Sequence, residues 1–418
     1  MSKKILVSII CLVIFSLVSY SVNAAELKDL EISAKYYGVY EAQDLKPVLE
    51  NDAETIAPLA SLTKIMTAIV CIENVNLKDE VEVDLPEVKK YYDADYSVAG
   101  LKDKQKISYY DLVETMLLPS GADSAACIAL NVFSDYDKFI QAMNDKAKEL
   151  GMKNTSFSNP IGSDDEKNYS TVRDIALMMK YAMENDYIVY GITQKDHTIA
   201  DKTKTVHNAL FQLADIYGID IPNITGGKTG MTGDAGFCLL SYSNTTPEQL
   251  YCIVLGSEIK PGTLYHLTDT EKLYTFVKDN YTMKDIISLD EKILTLPTDK
   301  SSKESIDITS IVPVKILEKN INEIDKNKVK IEYNGLNVLT PDNKLGELIG
   351  SIDVYYDGRY ISTENVILTS RVPLDIKVWI HDNPYQAALI GIIILGGIAL
   401  VIRYGVKIYR KKFKIVQF

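Results

Sequence analysis

Ser61 and Lys64 stand three residues apart in Ser61-Leu62-Thr63-Lys64, and Ser120-Gly121-Ala122 and Lys228-Thr229-Gly230 follow further along the chain. A serine hydroxyl is a weak nucleophile at neutral pH and needs a base within hydrogen-bond reach, which a helix supplies one turn further on. The i, i+3 spacing of Ser61 and Lys64 meets that need and points to acyl transfer through a serine ester. An ordinary lysine, with a pKa of about 10.4, cannot accept a proton at pH 7, but burial and a nearby like charge both lower that value. Ile65 to Ile72 is apolar nearly all round and reads as a buried helix with Ser61 in its first turn, so the base sits in a dry place. Lys228 is the second cation. On a strand lining the same cleft it would push Lys64 toward the neutral amine and attract an anionic substrate. The helix N-terminus at Ser61 adds a positive dipole end where an oxyanion develops.

These residues need elements to position them. Ser120 follows Pro119, between an apolar helix around Leu112 to Leu118 and another beginning near Asp123, which puts its hydroxyl at a helix–helix turn. Strand signals at Ile32 to Tyr40 precede a long helical middle. Alternating runs at Ala235 to Ser243 and Leu250 to Leu255 follow, separated by Asn244-Thr245-Thr246-Pro247. The pattern predicts an α+β domain over residues 26–279, an antiparallel sheet packed by helices and large enough to bury a substantial core. Over residues 281–376 short strands broken by turn residues predict a small β-rich domain, with Asp357-Gly358 as a hairpin turn.

Met1 to Ala24 reads as a secretory signal: Lys3 and Lys4, an apolar stretch from Ile5 to Val18, then Val22-Asn23-Ala24 as a small-residue cleavage site. Residues 383–402 carry no charge, and at ~1.5 Å per residue they cover the ~30 Å hydrocarbon core of a bilayer. Trp379 and Tyr385 suit its interface. The basic tail at 403–418 has Arg403, Lys407, Arg410, Lys411, Lys412 and Lys414 and no acidic residue, which predicts a cytoplasmic end and an extracytoplasmic remainder. A formal net charge of −12 argues against nucleic acid as a partner. Cys71, Cys127, Cys238 and Cys252 each lie in an apolar run and read as buried thiols, and Cys11 falls in the signal. His197, His207, His266 and His381 show no metal-ligand spacing, so neither a metal nor another cofactor is expected.

With these motifs the chain resembles the low-molecular-mass penicillin-binding proteins of the D-alanyl-D-alanine carboxypeptidase family, built on the β-lactamase/transpeptidase fold. The likeness extends from Pro58 through Thr67, over Asn154-Thr155, Asn159-Pro160-Ile161-Gly162 and Tyr169 to Asp174, and over Gly227 to Thr232 with Ala235 to Leu239. It implies Ser61 as nucleophile, Lys64 as base and Ser120 as a proton relay to the leaving group. Thr229 would hold the peptide carboxylate, Gly230 would let the substrate backbone approach, and the N–H groups of Ser61 and Met231 would form the oxyanion hole. The chain departs from the family's pattern twice. Ala122 stands where the second box usually has an asparagine that holds the substrate amide. His207 stands where an arginine often holds the carboxylate, and either substitutes for it or is a surface loop histidine.

The resemblance implies a penicillin-sensitive serine carboxypeptidase that removes the terminal D-alanine from peptidoglycan stem peptides, with β-lactams as inhibitors. The β-rich domain would be a stalk and the C-terminal span an anchor. The alternatives are a β-lactamase, which needs a group to activate water for fast deacylation, and an idle penicillin-binding sensor or scaffold. Asp164-Asp165-Glu166, the one acidic cluster between the second and third boxes, reads as a solvated loop.

Overall fold

A computed structural model describes Leu27 and residues 30–200 and 202–414, so the expected signal at 1–24 lies outside the described residues. The chain divides into two compact units, Met1–Thr282 with Lys319–Ile321 and Met283–Glu318 with Asn322–Phe418.

The first unit is built on a five-stranded antiparallel sheet. Its strands are β1 (Tyr36–Glu41), β2 (Pro47–Asn51), β3 (Gly226–Thr232), β4 (Gly236–Ser243) and β5 (Leu250–Ser257), in the order β2-β1-β5-β4-β3. Residues far apart in sequence therefore pair directly, as Val39 does with Cys252, while Leu240 opposes Lys228 across the hairpin of β3 and β4. β4 and β5 are buried almost throughout, as the near-continuous apolar runs Phe237 to Leu240 and Leu250 to Leu255 require of strands covered on both faces. The first strand begins at Tyr36 rather than Ile32.

Between β2 and β3 the chain is mostly helical. Helix α1 (Thr63–Asn74) is buried from Thr63 through Cys71, the outcome expected of a helix that is apolar all round. Around it pack α2 (Tyr109–Leu117), α3 (Ala122–Val132) and α4 (Val172–Ala182). The starts of these helices follow local chemistry: Ser108 caps α2 by accepting the N–H of Asp111, and Thr171 caps α4 by accepting that of Asp174. Helix α5 (Tyr265–Asn280) follows β5 and lies on the sheet, where Tyr274 is fully buried. Cys71, Cys127, Cys238 and Cys252 are free and buried, as their apolar surroundings predict.

The second unit contains short antiparallel strands, Lys292–Pro297 with Ser305–Thr309 and a three-stranded sheet of Val329–Gly335, Leu348–Tyr356 and Arg359–Ile367. It has its own core of Ile306, Ile308, Ile316, Ile352, Val354 and Val366. Asp357 and Gly358 make the expected hairpin turn, both with positive φ (52° and 79°). The C-terminal helix Pro384–Lys414 runs on past the uncharged stretch. Its segment Pro384–Arg410 is long and apolar enough to cross a membrane, and none of it is buried by protein.

Candidate active site

Ser61 does not lie in the first turn of α1. Ala60–Leu62 form a separate 3-10 turn ahead of it, entered through Ala60 at φ 46°, a left-handed conformation that a residue with a β-carbon adopts only at a cost. The surroundings hold it there. Thr63 donates its hydroxyl to Ala60 O at 2.8 Å, and Asn168 donates to that same hydroxyl at 3.2 Å.

The turn sets Ser61 Oγ 2.9 Å from Lys64 Nζ. Lys64 is fully buried and donates a second hydrogen bond to Ile161 O at 2.6 Å. Asn159 fixes that carbonyl's segment by accepting the N–H groups of Gly162 (2.7 Å) and Ser163 (3.0 Å), while Thr67 donates to Pro160 O at 2.7 Å. Asn159-Pro160-Ile161-Gly162 is thus the back wall that locates the lysine. Burial holds Lys64 well below the usual lysine range, and the Lys228 ammonium lowers it further, against the opposing pull of Asp123.

Lys228 lies on β3, the edge strand, with 1% of its surface exposed, and donates to Thr229 O at 3.1 Å. Burial alone takes its pKa down to about 7. The next residues on β3 reach the nucleophile: a β-carbon on Gly230 would stand 3.1 Å from Ser61 N. Ser120 occupies the turn between α2 and α3 at φ 64°. These groups line a cleft of about 540 Å³ that includes Ser61, Ser120, Thr229, Gly230 and Met231, with both lysines behind its wall. The arrangement supplies a nucleophile, a base held well below the usual lysine range, a second amine and an open strand edge for an extended peptide.

His207 does not line the cleft; its imidazole, more than half exposed, meets Asp196 Oδ1 at 2.5 Å across the strand pair Asp196–Thr198 and Thr205–His207. Asp164 does more than sit in a solvated loop, since it lines the cleft while accepting the N–H of Asp234 at 3.3 Å. Ala122 is fully buried, its N–H given to Ser97 O at 2.8 Å. Tyr96, Ser97 and His266 also line the cleft and carried no motif that would single them out. The loop bearing Ser97 is pinned by Asp123, whose carboxylate accepts the N–H groups of Ala99 (2.7 Å), Gly100 (2.8 Å) and Leu101 (2.9 Å).

A family model described as D-alanyl-D-alanine carboxypeptidase matches residues 21–258. The chain is 26% identical to the D-alanyl-D-alanine carboxypeptidase DacF of Bacillus subtilis, over 76% of this chain and 80% of the relative. It is 27% identical to a D-alanyl-D-alanine endopeptidase of Escherichia coli, over 60% and 80%. Among solved structures, penicillin-binding protein 5 from Haemophilus influenzae superposes with a TM-score of 0.58 at 23% identity, over 82% of this chain and 98% of that one. A peptidoglycan synthesis regulatory factor, PBP3, from Streptococcus pneumoniae gives 0.66 at 17%, over 82% and 100%; at such identities the likeness is one of fold. Fold, cleft and family match agree: the chain belongs to the D-alanyl-D-alanine carboxypeptidase family, as a serine-type hydrolase of that class.

Proposed function

We propose that the protein releases the terminal D-alanine of peptidoglycan stem peptides through an acyl-enzyme on Ser61. The observation that carries this reading is the 2.9 Å contact between Ser61 Oγ and Lys64 Nζ, with Lys64 buried beside a second buried lysine. Neutral Lys64 takes the hydroxyl proton as Ser61 Oγ attacks the carbonyl of the penultimate residue. The N–H groups of Ser61 and Met231 receive the oxyanion. Ser120 passes a proton to the departing nitrogen, D-alanine leaves, and water activated by Lys64 hydrolyses the ester. Thr229 and Gly230 seat the peptide along β3. His207, paired with Asp196 outside the cleft, takes no part.

The N-terminal leader exports the chain, and the helix from Pro384 anchors it by a single span with the basic end inside. The second unit is a stalk, and the first unit works outside the membrane on stem peptides, with β-lactams as acylating inhibitors. One observation favours a β-lactamase instead: Asp164 lines the cleft, where a carboxylate can activate water. The full chain treated with fluorescent penicillin decides between them. A label mapped to Ser61 and absent in Ser61→Ala, lasting minutes or longer in a chase, with D-alanine released from diacetyl-lysyl-D-alanyl-D-alanine, supports the carboxypeptidase. Rapid loss of label without D-alanine release reverses the choice.

A further inference from the structure

His266 lies in the first turn of helix α5 and stacks on Phe237, ring centroids 4.7 Å apart and planes 13° from parallel. Phe237 in turn opposes Met231 of β3. The imidazole thereby forms part of the cleft wall next to the end of the strand that passes Ser61. Its residue surface is 1% exposed, and Nδ1 is buried with no hydrogen-bond partner among the described residues. A proton on Nδ1 would be a buried donor with nothing to receive it, so the tautomer that avoids this cost carries the proton on Nε2. Burial takes the imidazole's pKa down to about 3, so the ring is neutral in the free protein.

The charge of the lining makes this position matter. The peptide set out under Proposed function ends in a carboxylate that must leave water, which is costly unless donors receive it. Among the described residues that line the cleft there is no lysine or arginine, and two, Asp95 and Asp164, would repel an anion. His266 is the one basic side chain among the described residues that line the cleft, and it offers a neutral donor rather than a charge.

We infer, resting on that reading of the cleft, that His266 is a binding residue which gives an Nε2–H hydrogen bond to the C-terminal carboxylate of the peptide, the place His207 does not fill. The geometry thus assigns carboxylate recognition to a neutral ring held in the core rather than to a surface cation.

The test compares kcat/KM for diacetyl-lysyl-D-alanyl-D-alanine and for its C-terminal carboxamide, using the full chain in detergent. His266→Phe keeps a ring on Phe237 but removes the donor, and should cut the carboxylate-to-carboxamide ratio about ten- to a hundredfold, as for loss of a hydrogen bond to a charged group. His266→Gln keeps a neutral donor and should hold the ratio within about threefold of the starting protein. A ratio unchanged in His266→Phe, or His266→Gln as impaired as His266→Phe, overturns the inference. Should the unaltered protein release no D-alanine, the underlying reading fails first. The acylation rate by a free-acid β-lactam relative to its methyl ester, in the same variants, then reads His266 independently, and an unchanged ratio there overturns the inference as well.

Discussion

The α-carbon of Gly162 rests against the carbonyl of Ala60, so closely that a β-carbon on it would stand 1.9 Å from the oxygen. Gly162 also has φ 81°, which a residue with a side chain resists. The back wall that holds Lys64 and the turn that holds Ser61 meet at this point. Gly162→Ala must therefore move one of them. We expect β-lactam acylation to slow about a hundredfold or more, since a shift near 1 Å has effects of that order. Acylation at the normal rate, measured by stopped-flow or gel labelling, would show that the turn is held elsewhere.

Lys64→Arg keeps a basic side chain but one that cannot lose a proton at any working pH. Acylation should fall about 10²- to 10⁴-fold, the usual worth of a general base. A Lys64→Arg protein that acylates well would place the base on another group.

Lys228 lowers Lys64 through its charge, so its removal leaves Lys64 protonated to higher pH. Activity depends on the neutral amine and falls as pH drops through the Lys64 pKa. In Lys228→Gln the acid limb of kcat/KM against pH should thus move upward, with a loss of about tenfold or more at neutral pH. An acid limb in its original place would separate the two lysines electrostatically.

Glu114, in α2, is fully buried, and neither carboxyl oxygen has a partner among the described residues. Burial, with Asp111 nearby, raises its pKa to about 8. The unfolded chain ionises it near the ordinary value of about 4.3, so the native state binds the extra proton between these limits. Stability from the neutral acid is full below pH ~4 and is lost as pH rises through 8, on the order of a few kcal/mol in all. Glu114→Gln should flatten the fall in Tm between pH 5 and 9. A Tm profile identical to that of the unaltered protein would mean that the carboxyl is paired in solution.

Truncation after Asp382 removes the apolar helix and should release the protein from membranes, whereas the full chain should resist extraction by alkaline carbonate. A full chain that carbonate extracts would make the helix peripheral. A reporter placed after Phe418 should be shielded from external protease, as the positive residues from Arg403 onward require.

Much of this was local chemistry and so could be read along the chain. Ser61 with Lys64 is one helical turn's spacing, the apolar run behind them dictates burial, and Pro119-Ser120-Gly121 breaks one helix from the next. The uncharged stretch from Asn383 to Ile402 and the hairpin at Asp357-Gly358 are equally local. The 3-10 turn at Ser61 was not legible, because it depends on Gly162, a residue far along the chain that leaves room for the Ala60 carbonyl. The two histidines show the same limit. His207 stands beside an asparagine that caps a helix and reads either as a substrate contact or as a surface histidine, and the fold puts it at the surface, paired with Asp196 in the open. His266 has no motif around it, and it reaches the cleft only because α5 packs on a sheet whose register sets Phe237 opposite Met231. A sequence specifies what its neighbours along the chain can enforce; which distant side chains share a cleft, and which cation faces another, follow from strand register and helix packing.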